Sequence, residues 1–264
     1  MPDRAHVQRT YLRDLADWAR REAVAPAAAV AGLAGVAARA EGWPSTGLDA
    51  IERLSPGWSA TTLPPPPAEL VLGPSLLGSA YEAVLDAGVR RARGTYYTPP
   101  LVARRLLDAV LDGRAEAGTV VDPAVGGGAF LLAAAARMVD SAPTCGTVGG
   151  SSPATIVRHR LHGADIDPVA VAVTRLGLGW WAWRAQGRGP DAWLPDAGRH
   201  VVVGDALLDD ACWPEADTAR PGVVVGNPPF LGQLSRRTAR SPALSARPSS
   251  TASSSRRATS GGVK

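Results

Sequence analysis

Lysine is missing from this sequence until its last residue, Lys264. That absence excludes a P-loop nucleotidase, whose glycine loop needs a lysine on the phosphates, and a nuclease centre built on an Asp/Glu-x-Lys element. Cysteine is scarce as well. Cys145 and Cys212 stand far apart, with no CxxC pair and no His-rich neighbour, so neither a disulfide framework nor a zinc site follows. No metal is expected, and a reducing cytoplasm is the compartment that fits. Long apolar runs are lacking too. The nearest, Ala23 to Ala38, is mostly Ala, Val and Gly, is broken by Pro26, and is too short and too weakly hydrophobic to span a membrane.

Acidic residues are missing from one region only. Residues 233–264 hold seven of the 28 Lys+Arg and none of the 24 Asp+Glu, which leaves the first 232 residues at 21 against 24. The basic balance of the chain therefore belongs to its tail. That tail has no aromatic residue and nine serines, with neither alternation nor helical period, and it reads as disordered. The rest, in a chain of 264 residues with 45% apolar content, can bury a sizeable core.

Three stretches divide the chain. Residues 1–67 read as a helical N-terminal region closed by a polyproline spacer at Pro64 to Pro67. Within it Tyr11 to Glu22 is amphipathic, with Leu12, Leu15, Trp18 and Ala19 on one face and Arg13, Asp14, Asp17 and Arg20 on the other. Residues 68–232 read as an α/β domain, and 233–264 as the tail. Residues 140–155, small and polar, look like a surface insertion.

Four short apolar runs in the α/β part read as buried parallel strands, each ending in a polar signal. Thr119 to Asp122 runs into DPAVGGGAF, a strand, glycine loop and helix in which Gly126, Gly127 and Gly128 let the backbone approach a ligand. The third glycine of a dinucleotide fingerprint is replaced by Leu131, which disfavours NAD. A second strand ends at Asp165 in HGADIDP, where an acid is placed to accept from ribose hydroxyls, and Asp167-Pro168 then caps a helix whose Trp180, Trp181 and Trp183 are expected to pack. His200 to Val203 leads to Gly204-Asp205. Val223 to Val225 leads to Asn227-Pro228-Pro229-Phe230, a stiff turn that presents an amide, a carbonyl and a flat ring. Upstream, GTYYTPP supplies Tyr96 and Tyr97 as flat walls and Thr98-Pro99 as a helix cap with proline first; the helix that follows carries Val102, Leu106, Ala109 and Val110 on one face.

In this order, YYTPP, DPAVGGGAF, GADIDP, GD and NPPF, the chain resembles the amino-methyltransferases of restriction-modification type that act on adenine N6 in DNA. The resemblance covers about residues 76–232 and implies a Rossmann-like, doubly wound sheet, incomplete here. It further implies S-adenosylmethionine as cofactor, with Tyr97, Thr98, Asp122, Pro123, Gly126 and Gly128 at the methionine end, Asp165 on the ribose, and Ile166 and Asp205 at the adenine. Asn227 and Pro228 would accept from the target amine, and Pro229-Phe230 would complete the turn and stack on the base. Glutamine methyltransferases that modify release factors share the catalytic turn and are the enzymatic rival. A non-catalytic cofactor- or DNA-binding protein is the third class. After Gly232 the family's pattern stops, and its further strands and DNA-recognition region are missing. The expectation is therefore either an N-terminal fragment with an out-of-frame tail or an enzyme completed by a second chain.

Overall fold

The computed structural model describes residues 3–60, 62–86, 98–111, 118–140, 152–209 and 221–228. Four strands form one sheet: β1 (Thr119–Asp122), β2 (Leu161–Asp165), β3 (Val201–Val203) and β4 (Pro221–Val224). Their order is β3-β2-β1-β4, and every pairing is parallel. Val120 sits opposite Leu161 on one side and Val223 on the other, while Gly163 faces Val201. All four residues of β1 are buried, which is why the strand is a continuous apolar run ending in a single acid. The four expected strands are all present. β3 starts at Val201 rather than His200, and β4 begins two residues before Val223.

The chain passes from β1 outward to β2 and β3, then returns to lay β4 on the other side of β1. The reversal falls between β1 and β4. In a sheet of this kind the crevice beyond the carboxyl ends of those two strands is where ligands bind.

Among the described residues, four α-helices between Arg4 and Val84 build a layer N-terminal to the α/β part. Helix α1 (Arg4–Arg21) starts at Asp3, whose Oδ1 accepts from the Ala5 amide at 3.0 Å, and closes on Arg20 and Arg21, which suit the negative end of its dipole. It buries Tyr11, Leu15 and Ala19, one residue per turn, with Leu12 and Trp18 half-buried beside them. Helix α2 (Pro26–Glu41) has proline at its first turn and Gly42 at φ 69° after its last. Helices α3 (Ser45–Leu54) and α4 (Pro74–Val84) complete this layer.

Helices α5 (Pro100–Leu111) and α6 (Ala129–Asp140) flank β1 in the chain, and α7 (Pro168–Ala185) follows β2. Helix α7 is buried nearly all round because it serves two cores. Ala170, Val173, Leu176, Trp180 and Trp183 face the N-terminal helices, while Val171, Leu178 and Ala182 face the core under the sheet. Trp180 and Trp183 gather with Trp43 and Trp193 at ring separations of 4.7–6.3 Å, so these tryptophans pack as expected. Truncating any one such ring to alanine costs about 3–5 kcal/mol. The Glu41 carboxylate accepts from Trp180 Nε1 at 3.2 Å and Arg184 Nε at 3.0 Å, fastening α2 to α7.

On one helix the apolar face noted in the sequence is not the one that packs. α5 buries Ala103, Leu107 and Leu111, and leaves Val102, Leu106, Ala109 and Val110 exposed. The helix carries two apolar stripes offset by one residue, about 100° apart around its axis, and α6 takes the other one. The helix also begins at Pro100, one residue later than the Thr98 cap implies.

Candidate active site

The site is built where the strands end. Asp122 closes β1 at 1% exposure, and its Oδ1 accepts from the Ala124 amide at 3.0 Å, shaping the turn through Pro123. Its other oxygen, Oδ2, is buried with no hydrogen bond among the described residues. Burial pushes the carboxyl up to about 7; the Ala124 N–H works against that rise, and the charge of Asp165 adds to it.

Asp165 closes β2 and holds the glycine loop. Its Oδ2 accepts from the Gly126 amide at 2.9 Å and its Oδ1 from the Asp167 amide at 2.9 Å. Gly126 and Gly128 have φ of 48° and 82°, a region that side chains rarely tolerate, so the loop needs glycine at both positions. From α7, the Thr174 hydroxyl donates to the Gly126 carbonyl at 3.0 Å. From α4, Gly78 lies directly on the loop: a Cβ there would stand 2.1 Å from the Gly127 carbonyl oxygen. Tyr81, one turn on, donates its hydroxyl to Asp167 Oδ2 at 2.6 Å, while Asp167 Oδ1 caps α7 by accepting from Val169 N at 2.9 Å.

Two further strand ends form an open shelf. Ile166, after β2, is 62% exposed, an unusual setting for an isoleucine and a flat apolar surface beside Asp165. Asp205, after β3, is exposed and accepts from the Leu207 amide through Oδ1 at 2.9 Å. On the other side of the crevice the residues after β4 return to β1. A Cβ on Gly226 would stand 2.9 Å from Asp122 Oδ1 and 3.2 Å from the Pro123 ring. The next residue, Asn227, donates from Nδ2 to Thr98 Oγ1 at 3.3 Å, and Pro228 is exposed beside it.

The structure thus brings together Thr98, Asp122, Pro123, Gly126, Gly128, Asp165 and Asn227, with Ile166 and Asp205 on the adjoining shelf. Tyr97, Pro229 and Phe230 lie outside the described residues. Sequence reasoning passed over Gly78, Tyr81, Glu82 and Thr174 as parts of the site. The signal for the first three was the LLGSAYE string itself, which places a glycine, an aromatic and an acid within one turn and a half of helix. A groove lined by Pro74, Arg104, Ala133 and Trp181 lies elsewhere, among the helices. Among the described residues no group of His, Cys, Asp and Glu could hold a metal, and no helix is long and apolar enough to cross a membrane.

Comparison with known proteins gives three findings. A family model described as N-6 DNA Methylase matches residues 73–255. The adenine-specific methyltransferase PglX of Streptomyces coelicolor is 30% identical over 207 residues, which cover 60% of this chain and 16% of that protein. The chain therefore spans only a small part of the length of the curated relative it matches. A cryoEM structure of a DrdV–DNA complex aligns with 51% of this chain and 12% of its own at 19% identity, with a TM-score of 0.35.

Proposed function

Because this chain belongs to the N-6 DNA methylase family, an S-adenosylmethionine-dependent methyltransferase fold, we propose that it carries the cofactor cradle and catalytic turn of an enzyme that methylates adenine N6 in DNA. The observation that carries this reading is the position of Asn227. It stands at the switch crevice, joined to Thr98 by a hydrogen bond and, through Gly226, pressed against Asp122.

The cradle suits S-adenosylmethionine on three counts. Asp122 Oδ2 is a buried acceptor without a partner, on the edge where a cationic amino-acid end would lie. The loop turns at Gly126 and Gly128 with positive φ, which lets its backbone come close to a ligand. Exposed Ile166 and Asp205 offer an apolar surface and an acceptor for a nucleoside base, with Asp165 assigned to the ribose. When bound, the cofactor supplies an electrophilic methyl group on a sulfonium. Everything else falls to the protein.

An exocyclic adenine nitrogen shares its lone pair with the ring and is a poor nucleophile. With Nδ2 of Asn227 committed to Thr98, Oδ1 is the atom of that amide able to accept, and the Pro228 carbonyl follows it in the turn. Two acceptors on the two N–H groups favour a pyramidal nitrogen whose lone pair points at the methyl. Nitrogen forms the new bond, sulfur keeps the electron pair of the old one, and one N–H proton leaves to solvent after transfer. The base must leave the duplex to reach this crevice, so DNA is the substrate and Phe230 the stacking partner in this reading.

We further propose that additional polypeptide, a second chain or a longer form, covers the β4 side. What supports this is the exposure of Val224 at 62% and of the Leu101, Val102, Leu106 and Val110 stripe of α5. The working compartment is the cytoplasm. The test is transfer of tritiated methyl from S-adenosylmethionine to adenine-containing DNA, supplemented with candidate partner chains. Label in N6-methyladenine supports the proposal; label in a release factor and none in DNA overturns it.

A further inference from the structure

We propose that Thr174 is a positioning residue of the cradle: its hydroxyl fixes the peptide plane between Gly126 and Gly127, and so holds the Gly127 N–H for an acceptor on the amino-acid end of S-adenosylmethionine. The inference rests on the cofactor reading above and extends it to helix α7, outside the strand-end motifs.

The loop itself does little to hold that plane. Gly126 and Gly127 lie on either side of it without a Cβ, so the peptide can rotate between them at low steric cost. The restraint comes from another element. Thr174 is fully buried, and its hydroxyl donates to the Gly126 carbonyl at 3.0 Å, across 48 positions of the chain. A threonine inside a helix commonly turns its hydroxyl back to a carbonyl of the preceding turn; here it goes to the glycine loop instead. The same side chain backs the loop as far as Gly128, where a Cβ would stand 2.9 Å from Thr174 Oγ1. Helix α4 closes on the loop as well, since a Cβ on Gly127 would stand 2.6 Å from Gly78 Cα.

The bonds at the loop tip leave one donor over. Gly126 N–H goes to Asp165 Oδ2 at 2.9 Å and Gly128 N–H to the Val125 carbonyl at 2.8 Å, whereas Gly127 N–H makes no hydrogen bond among the described residues. In a trans peptide the carbonyl and the N–H that follows it point opposite ways. With the Gly126 carbonyl drawn to Thr174, the Gly127 N–H is turned away from α7. Gly127 is buried, and a buried donor without a partner is a cost that a ligand acceptor removes. The carboxylate of the amino-acid end is the strongest acceptor the expected ligand brings.

Calorimetry on the full 264-residue chain tests this with S-adenosylhomocysteine and with 5′-methylthioadenosine, which lacks the amino-acid end. Thr174→Val keeps the shape of the side chain and removes its donor, while Thr174→Ser keeps the donor and removes a methyl group. The valine variant is expected to bind S-adenosylhomocysteine about tenfold more weakly and 5′-methylthioadenosine within about twofold of the parent; the serine variant should stay within about twofold for both. Equal losses for the two ligands would mean that Thr174 only stabilises the loop, and would overturn the assignment. Unchanged S-adenosylhomocysteine affinity in the valine variant, or an equal loss in the serine variant, overturns it too, while the cofactor reading stands. If the unaltered chain binds neither ligand, the cofactor reading falls and this inference with it. Should Thr174→Val not fold, the Gly127 amide resonance decides, followed by NMR in the unaltered chain and in Thr174→Ser. A shift with S-adenosylhomocysteine and none with 5′-methylthioadenosine supports the assignment, and equal shifts or none overturn it.

Discussion

The two ends of the sheet are built from opposite charges and to opposite standards of satisfaction. The carboxyl end gathers Asp122, Asp165, Asp167 and Asp205. The amino end gathers Arg158, His159, Arg160, His162, Arg199 and His200, with Asp196 as its acid. There the polar atoms answer one another. Arg158 Nε donates to Asp196 at 2.9 Å, and Arg160 Nε to the Gly118 carbonyl at 2.7 Å. Arg199 Nε reaches the Arg158 carbonyl and His200 Nε2, both at 3.1 Å, and its Nη2 lies 3.0 Å from His159 Nδ1. His162 and His200 stack at 4.5 Å. Contacts of this kind hold loops in place. At the carboxyl end, by contrast, Asp122 keeps a buried oxygen without a hydrogen bond among the described residues, and an apolar residue, Ile166, is left out in solvent. The lesson is that the end proposed to bind the cofactor is the one left incomplete.

The ends also titrate in opposite senses. Asp122 is raised from its ordinary range to about 7, chiefly by burial. The folded protein therefore binds more protons than the unfolded one between about pH 4 and 7, and stability is lost as pH rises through that window. His162 and His200 are lowered, first by burial and then by neighbouring cations. For them the unfolded chain binds protons more readily, so stability is lost as pH falls below the ordinary imidazole range.

The largest expected effect separates chemistry from binding at the carboxyl end. Asn227→Ala should lower methyl transfer to DNA by about 100-fold or more, with S-adenosylhomocysteine affinity changed no more than about threefold. Rapid-quench transfer assays beside calorimetry check this; parallel losses would break the division of roles.

Next comes Asp122→Asn, which tests whether the incomplete end is held against stability. Removing a buried charge shifted by some three units relieves roughly 4 kcal/mol at pH 8, and the amide left without an acceptor returns about 1–3 kcal/mol of that. A net gain of about 1–3 kcal/mol in urea unfolding at pH 8 is expected, together with weaker cofactor binding. Because the opposing carboxylate slope is gone, the variant should also lose stability more steeply than the parent from pH 7 to 5.

A smaller effect is expected from His162→Phe at the amino end. It should flatten the acid-side loss between pH 7 and 5 and, if the cofactor binds at the carboxyl end as proposed, leave S-adenosylhomocysteine affinity unchanged. The smallest is expected from Leu106→Gln, on the exposed stripe of α5, within about 0.5 kcal/mol in the isolated chain. Leu107→Ala, one residue on, should cost about 2–5 kcal/mol.

How much of this was legible in the sequence follows from where the physics is local. Thr119 to Asp122 and the glycine loop were legible because a buried parallel strand must be apolar and a turn at positive φ favours glycine. Asp165 and Asp205 were legible as acids closing such strands. The Thr98 to Asn227 bond was not legible, since it joins residues 129 positions apart and the resemblance gave the two residues separate roles. Which face of α5 packs was not legible, because Val102, Leu106 and Val110 are as apolar as Leu107 and Leu111. Periodicity cannot choose between two stripes when the packing partner decides. The amino-end cluster had no sequence signal at all, because Arg199 meets His159 and Arg158 only once β2 and β3 are side by side.

Helix α7, packed on one side against the tryptophans and on the other against the sheet, bears on how the molecule comes apart. Neither core can open without stripping a face from the same helix. Its amides are therefore expected to exchange with deuterium only through global unfolding, and the two regions should melt in one transition rather than two. The cradle gains from this arrangement, since Thr174 and Asp167 stand on that helix and inherit the stability of the whole chain rather than that of a marginal four-stranded sheet.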